Sequence, residues 1–280
     1  MLQGPSVVQV GRVRAVFWGR DATVAATLAD EADRERTFPG ITDLPNYPIR
    51  LVIVRSEARY DSITRDRLPA WSGAAAFPGM HTIVLKLNSG DPHQVLRHEL
   101  AHLALHQVAS VVPRWFDEGY AAYAAREWGR LDALSVSWAL VRGDPPTLEQ
   151  LNHDLRAGPA RAEAAYAFAT TAVLYLARLG GDRGLGPLLT NLHETRNFDA
   201  ALRMTHLMTA AQFQEAWLKD LRTHYGWLRF LTSFAVFWGV IGAALIAVWI
   251  GRRRRDRARR AALDQGWSVP DVLADDERPA

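Results

Sequence analysis

Two histidines four residues apart, with a glutamate directly after the first, constrain this 280-residue chain more than any other feature: His98-Glu99-Leu100-Ala101-His102. Residues at that spacing project from one face of an α-helix, so the pattern requires a helix that turns a polar face toward a shared centre. Both imidazoles can then reach one ion at about 2.0–2.1 Å. Glu99 lies too far round the helix to be a natural ligand and is placed to take a proton from water that the ion activates. Zinc suits this donor set, because it lowers the pKa of bound water from about 15.7 towards about 7. A catalytic zinc keeps three protein ligands and one open position. Glu118, sixteen residues after His102 within Trp115-Phe116-Asp117-Glu118-Gly119-Tyr120, is the candidate third ligand.

The flanking residues predict a helix over 92–108. Asp91 is a good N-cap, Pro92 suits the first helical position, and Leu96, Leu100 and Leu103 form an apolar stripe beside the histidines. A lone pattern of this kind also arises by chance on solvated helices. Glu118 tips the balance, since an acid inside an aromatic, alanine-rich helix is not typical of a solvated face. His106, one turn beyond His102, is the competing third ligand. On the same straight helix it would sit about 6 Å further along the axis, which favours Glu118.

The two segments H-E-L-A-H and P-R-W-F-D-E-G-Y-A-A-Y resemble the gluzincin metallopeptidases, especially the bacterial peptidase MA-like group. More distantly they are similar to zinc aminopeptidases carrying W-L-N-E-G-F-A. The resemblance extends over about 12–227 in general layout, but only these two motifs are specific. It implies His98, His102 and Glu118 as zinc ligands and Glu99 as general base. It also implies a zincin-like α+β fold: a small mixed sheet with helices, then an all-helical half. Metzincins are excluded, because Leu105 and Val108 stand where that class needs Gly and a third His. Two departures matter. Thermolysin-type enzymes carry an Asp four residues after the ligand Glu, where this chain has Ala122, so a supporting partner for the histidines must come from elsewhere. The G-A-M-E-N segment that anchors a substrate amino terminus is missing, and Phe77-Pro78-Gly79-Met80-His81 in roughly its place has no acid. Cleavage within a peptide chain is therefore expected over aminopeptidase action. Related enzymes stabilise the oxyanion with a Tyr or His from the helical half; Tyr166 is the candidate here, against a core-packing role, with Tyr175 and His153 behind it.

Apolar, β-branched runs predict strands over 7–18, 48–55 and 81–87, and helices over 22–34 and 57–64. The 81–87 strand leads into the histidine helix; relatives often use such a strand as a sheet edge for an extended substrate. After Trp115 the pattern turns helical, over 116–128, 133–141, 147–155, 161–179 and 210–225. The expected organisation is an α/β subdomain at 1–114, a helical subdomain at 115–227, a transmembrane helix at 228–250 and a cytoplasmic tail at 251–280.

The membrane expectation rests on residues 230–250, which carry no charge across 21 residues. At 1.5 Å per residue such a helix spans about 31 Å, close to the hydrocarbon thickness. Trp227, Trp238 and Trp249 supply aromatic residues, and 252–260 holds seven Arg and one Asp. That run places the tail in the cytoplasm and the catalytic part outside. Residues 1–16 lack the apolar core of a signal peptide, so a signal upstream of Met1 is expected. The absence of Cys excludes disulfides and thiolate metal sites. Expected partners are a peptide or protein substrate and the lipid bilayer; no nucleic acid is expected. The alternative is a non-catalytic, membrane-anchored interaction module, which would have no need of Glu99.

Overall fold

The computed structural model describes residues 4–42, 44–64, 72–228 and 234–266. Where periodicity predicts one strand over 7–18, the chain makes a hairpin of β1 (Ser6–Val10) and β2 (Val13–Phe17). The reversal falls on Gly11, at φ +50, where a Cβ would strike the Asp33 carboxylate. Asp33 Oδ1 instead accepts the Arg12 N–H at 2.9 Å. The helix α1 (Ala22–Arg34) then crosses to β3 (Ile49–Val54), which runs parallel to β2.

From Leu51 to Val54 β3 is buried on both faces, as that apolar run requires. Leu51 and Ile53 point into the main core, whereas Val52 and Val54 join Tyr60 in a smaller cluster under α2 (Glu57–Thr64). The short strand β4 (Ala74–Phe77), absent from the sequence reading, precedes β5 (Thr82–Lys86). Sheet order is β1-β2-β3-β5-β4, with β3 and β5 parallel and β4 antiparallel to β5. The strand leading into the histidine helix is thus an interior strand, and the edge beside that helix belongs to β4. Three alanines and one Phe carry too weak a β signal to mark it.

The helix α3 (Pro92–Val108) has the expected bounds, and Asp91 accepts the His93 N–H as its N-cap. Leu96, Leu100, Leu103 and Leu105 are buried in the main core. The helical half follows: α4 (Arg114–Ala124), α5 (Arg130–Arg142), α6 (Leu148–Asp154), α7 (Pro159–Leu179), α8 (Gly186–Thr195), α9 (Phe198–His206) and α10 (Ala210–Tyr225). The sequence reading missed α8 and α9, which meet at Arg196 in the left-handed conformation, φ +52. One core runs from β2 through α3 to α10, and residues 1–228 form one compact unit.

The second unit covers 229–280, and its described part is one helix, α11 (Phe234–Gly266). Among the described residues no helix is long and apolar enough to cross a membrane. Of the expected span over 228–250, residues 229–233 lie outside the described residues, as does the tail after 266. Within α11, Phe237, Trp238, Val240, Leu245 and Trp249 are all exposed.

Candidate metal centre

Two helices build the site. α3 presents His98 and His102 one turn apart, with ring centroids 5.0 Å apart. α4 brings Glu118, because its first turn is pinned from below. Trp115 stacks on Phe213 at 5.8 Å and meets Phe198 edge-on at 5.4 Å, and its backbone N–H donates to Asn152 Oδ1 at 2.9 Å. Gly119 then lets α4 lie against α7, since a Cβ there would fall 2.5 Å from the Ala169 carbonyl oxygen. The following residues face the core, and Tyr120 is a packing residue whose hydroxyl donates to the Pro39 carbonyl at 3.0 Å.

This packing sets Glu118 Oε2 3.9 Å from His98 Nε2 and 3.6 Å from His102 Nε2. One ligand atom from each of the three residues lies within 4.8 Å of the others, a grouping that can hold a metal ion. The far side of each ring is also engaged. His98 Nδ1 meets Glu127 Oε1 at 2.9 Å, and His102 Nδ1 meets Asp117 Oδ1 at 2.6 Å. An ionised carboxylate only accepts, so each Nδ1 carries the proton and each Nε2 is left to face Glu118 as a donor to metal. These are the supporting partners that Ala122 could not supply. His106 is no ligand in this grouping: its Nε2 lies 3.0 Å from Asp117 Oδ2 and braces the carboxylate that orients His102.

Neither support was named from sequence. Asp117 could have been, because it directly precedes the ligand Glu and lies one helical step from it. Glu127 could not. The predicted helix over 116–128 stops at Ala124, and Arg126 adopts φ +57. The Glu127 N–H closes back on the Ala122 carbonyl at 3.0 Å, which returns its side chain to His98. Such a helix end normally signals itself with Gly, and here the position holds Arg. Arg97 fixes the same end, donating through Nε to the Ala124 carbonyl at 2.6 Å.

Electrostatics fit a cation. Burial by itself would lower the imidazole pKa values, but the surrounding carboxylates outweigh it: His98 stands well above its ordinary value and His102 rises to about 9. Burial would raise Asp117 and Glu118, but charge and hydrogen bonding from the histidines hold both below the usual carboxylate range. Glu99 goes the other way. It is buried, and desolvation raises it despite both histidines and a backbone hydrogen bond from Ala76. Four carboxylates around two imidazoles form a well for positive charge, and the Nε2, Nε2 and Oε2 donors suit zinc. Asp117→Asn is expected to weaken zinc binding by about 10–100-fold with the fold intact, as losing an oriented carboxylate behind a ligand His does. Chelator competition measures it; an unchanged affinity would remove Asp117 from the centre.

The centre floors a cleft of about 440 Å³ lined by Ala74, Ala75 and Ala76 of β4, by Arg114 and by Tyr166. Tyr166 is the oxyanion candidate that reaches the cleft; Tyr175 instead stacks on Phe213 at 5.9 Å, and His153 lines a neighbouring hollow. Burial, reinforced by the charge of Glu118, pushes the Tyr166 phenol well above its usual pKa.

Comparison with known proteins places this arrangement. No curated protein sequence matches the chain. Among solved structures, it is similar to a point mutant of a two-domain M1 zinc metallopeptidase bound to the amino acid L-tryptophan. That likeness has 16% identity and a TM-score of 0.43, covers 77% of this chain, and spans about half (51%) of the other. The family model for the peptidase MA superfamily matches residues 42–223, which include every residue of the centre. The chain belongs to the peptidase MA superfamily, with His98, His102 and Glu118 as its candidate His-His-Glu metal site.

Proposed function

We propose that the chain is a zinc-dependent peptidase that hydrolyses bonds within peptide chains and is held at a membrane by its carboxyl-terminal helix. The observation that carries the catalytic part is the buried Glu99 beside three convergent ligand atoms at the floor of an open cleft. Held by His98, His102 and Glu118, zinc supplies Lewis acidity, polarising a carbonyl and making a water-derived nucleophile available near neutral pH. The rest falls to the chain's own groups. Glu99, with its pKa raised by burial, accepts a proton on its carboxylate and returns it to the leaving amine. The Tyr166 phenol, kept protonated by burial, donates toward the oxygen on which negative charge develops. Among the described residues β4 has a sheet neighbour on one side only, and its other edge beside Ala74–Ala76 suits backbone pairing with an extended peptide.

Cleavage inside a chain is favoured by where the carboxylates of the cleft are committed. Asp117 and Glu127 hold imidazoles, Glu118 faces the metal position, and Glu99 is the base. Among the described residues lining the cleft, no carboxylate is left to anchor a substrate amino group. A peptide acetylated and amidated at its two ends should therefore be cut, with loss of activity to chelator and recovery with zinc. Strictly stepwise removal of residues from free amino termini would refute the endopeptidase reading.

The anchoring part is supported by residues 234–251, which contain no charged side chain, by the exposed apolar side chains of α11 and by the arginines that follow. A membrane location with the catalytic unit outside is the reading consistent with that charge bias. Protease added to intact cells or spheroplasts should digest the unit before Trp227 and spare the tail after Gly251; the reverse pattern would invert the topology.

A further inference from the structure

Arg114 is the residue of the cleft that the hydrolytic chemistry leaves partly unused. Its Nη2 lies 3.4 Å from Glu118 Oε1, a single long contact, and its Nε is buried without a hydrogen-bond partner among the described residues. A guanidinium offers five donors, so most of its capacity remains. The same side chain also lines a second hollow of about 630 Å³, with Asn152, His153, Arg156 and Glu149. Asn152 spends its oxygen on the Trp115 N–H and keeps its amide nitrogen as a donor. Arg156 is exposed there. A different hollow, of about 280 Å³, adjoins the cleft through Glu127 and Tyr166 and is lined by Asp132 and Glu163. The metal cleft thus shares Arg114 with a hollow that has two guanidiniums against a single acid, and shares Glu127 and Tyr166 with one lined by three acids.

We propose that Arg114 and Arg156 form a subsite for a carboxylate of the peptide substrate, so that the enzyme prefers peptides with a negative charge near the scissile bond. This rests on the peptidase reading above. Planar guanidiniums pair with carboxylates through parallel N–H donors, and two flanking one hollow give charge and direction together. The acidic hollow repels the same group, which fixes the end of the cleft at which it sits. The carboxylate comes from an acidic side chain or from the peptide's own carboxyl terminus; the chemistry is shared, and the test separates them.

Binding is measured on the full-length, zinc-loaded Glu99→Gln chain, so that peptides are not consumed. Three versions of one fluorescent peptide are compared: an internal Glu with an amidated terminus, the matching Gln with an amidated terminus, and that Gln peptide with a free terminal carboxylate. At least one charged version should bind about tenfold more tightly than the neutral one, as a charge-assisted hydrogen bond provides. Arg156→Ala should erase that difference, and Arg156→Glu should reverse it. Preference for internal Glu assigns a side-chain subsite, and preference for the free terminus assigns a terminal one. Equal binding of all three, or a preference that survives both Arg156 variants, overturns the proposal. Hydrolysis by the wild-type chain is scored separately: no cleavage of any version defeats the peptidase reading, whereas cleavage without charge preference defeats the subsite alone.

Discussion

Glu99→Gln lowers kcat for peptide hydrolysis by about 10²–10⁴-fold, the contribution expected of a positioned general base, and leaves zinc content and fold unchanged. The substitution keeps the shape and the hydrogen-bonding capacity of a side chain that is only 7% exposed, so the packing of α3 against the sheet is preserved. What it removes is a group that can take and return a proton near neutral pH. Turnover and metal content measured on the same sample check this. Turnover within a factor of about three of wild type would take Glu99 out of the chemistry, because the loss of a working base cannot be so small.

Glu118→Ala has the largest expected effect on the metal. It removes one of three converging ligands, and zinc affinity should fall by more than the roughly 10–100-fold attributed to an outer partner such as Asp117. It also leaves Arg114 without its carboxylate, so some loss of stability accompanies it. Glu118→Gln keeps the volume and a neutral acceptor and separates the two effects: zinc affinity should fall while the melting temperature stays near that of the wild type. Metal titration with a chromogenic chelator reads the first and thermal denaturation of the metal-free chain the second. Full zinc retention by both variants would remove Glu118 from the ligand set.

The parts of this site that could be read in the sequence are those governed by local periodicity. The bounds of α3, its cap at Asp91 and the joint projection of His98 and His102 follow from residue spacing, and the structure has each of them. Glu118 was reachable because two aromatic residues before it announce a buried helix start. What could not be read depends on distant packing or on unusual backbone. Glu127 arrives through a left-handed arginine that no sequence rule selects. The edge strand β4 is recognised by its neighbour β5 and not by its own three alanines. The turn at Gly11 lay inside an apolar run that reads equally well as one strand, and contact with Asp33 on α1 decides in favour of two. Tyr166 was legible only as an aromatic residue early in a long helix; its place at the cleft follows from the close approach of α7 to Gly119.

The side-by-side placement of Asp117 and Glu118 limits which insertions and deletions this chain could tolerate. Successive helical residues are turned by about 100° from one another, so one dipeptide reaches the back of an imidazole with its first carboxylate and the metal position with its second. The connection at 109–113 between the two helices is outside that requirement, and its length can drift as long as Trp115 finds its aromatic neighbours. A single residue gained or lost between Trp115 and Glu118 has no such freedom. It would rotate the ligand away and could offer in its place an aspartate, shorter by one methylene, while His102 lost its brace in the same event. Drift in this family should therefore accumulate in the connecting loop and stop abruptly at the tryptophan.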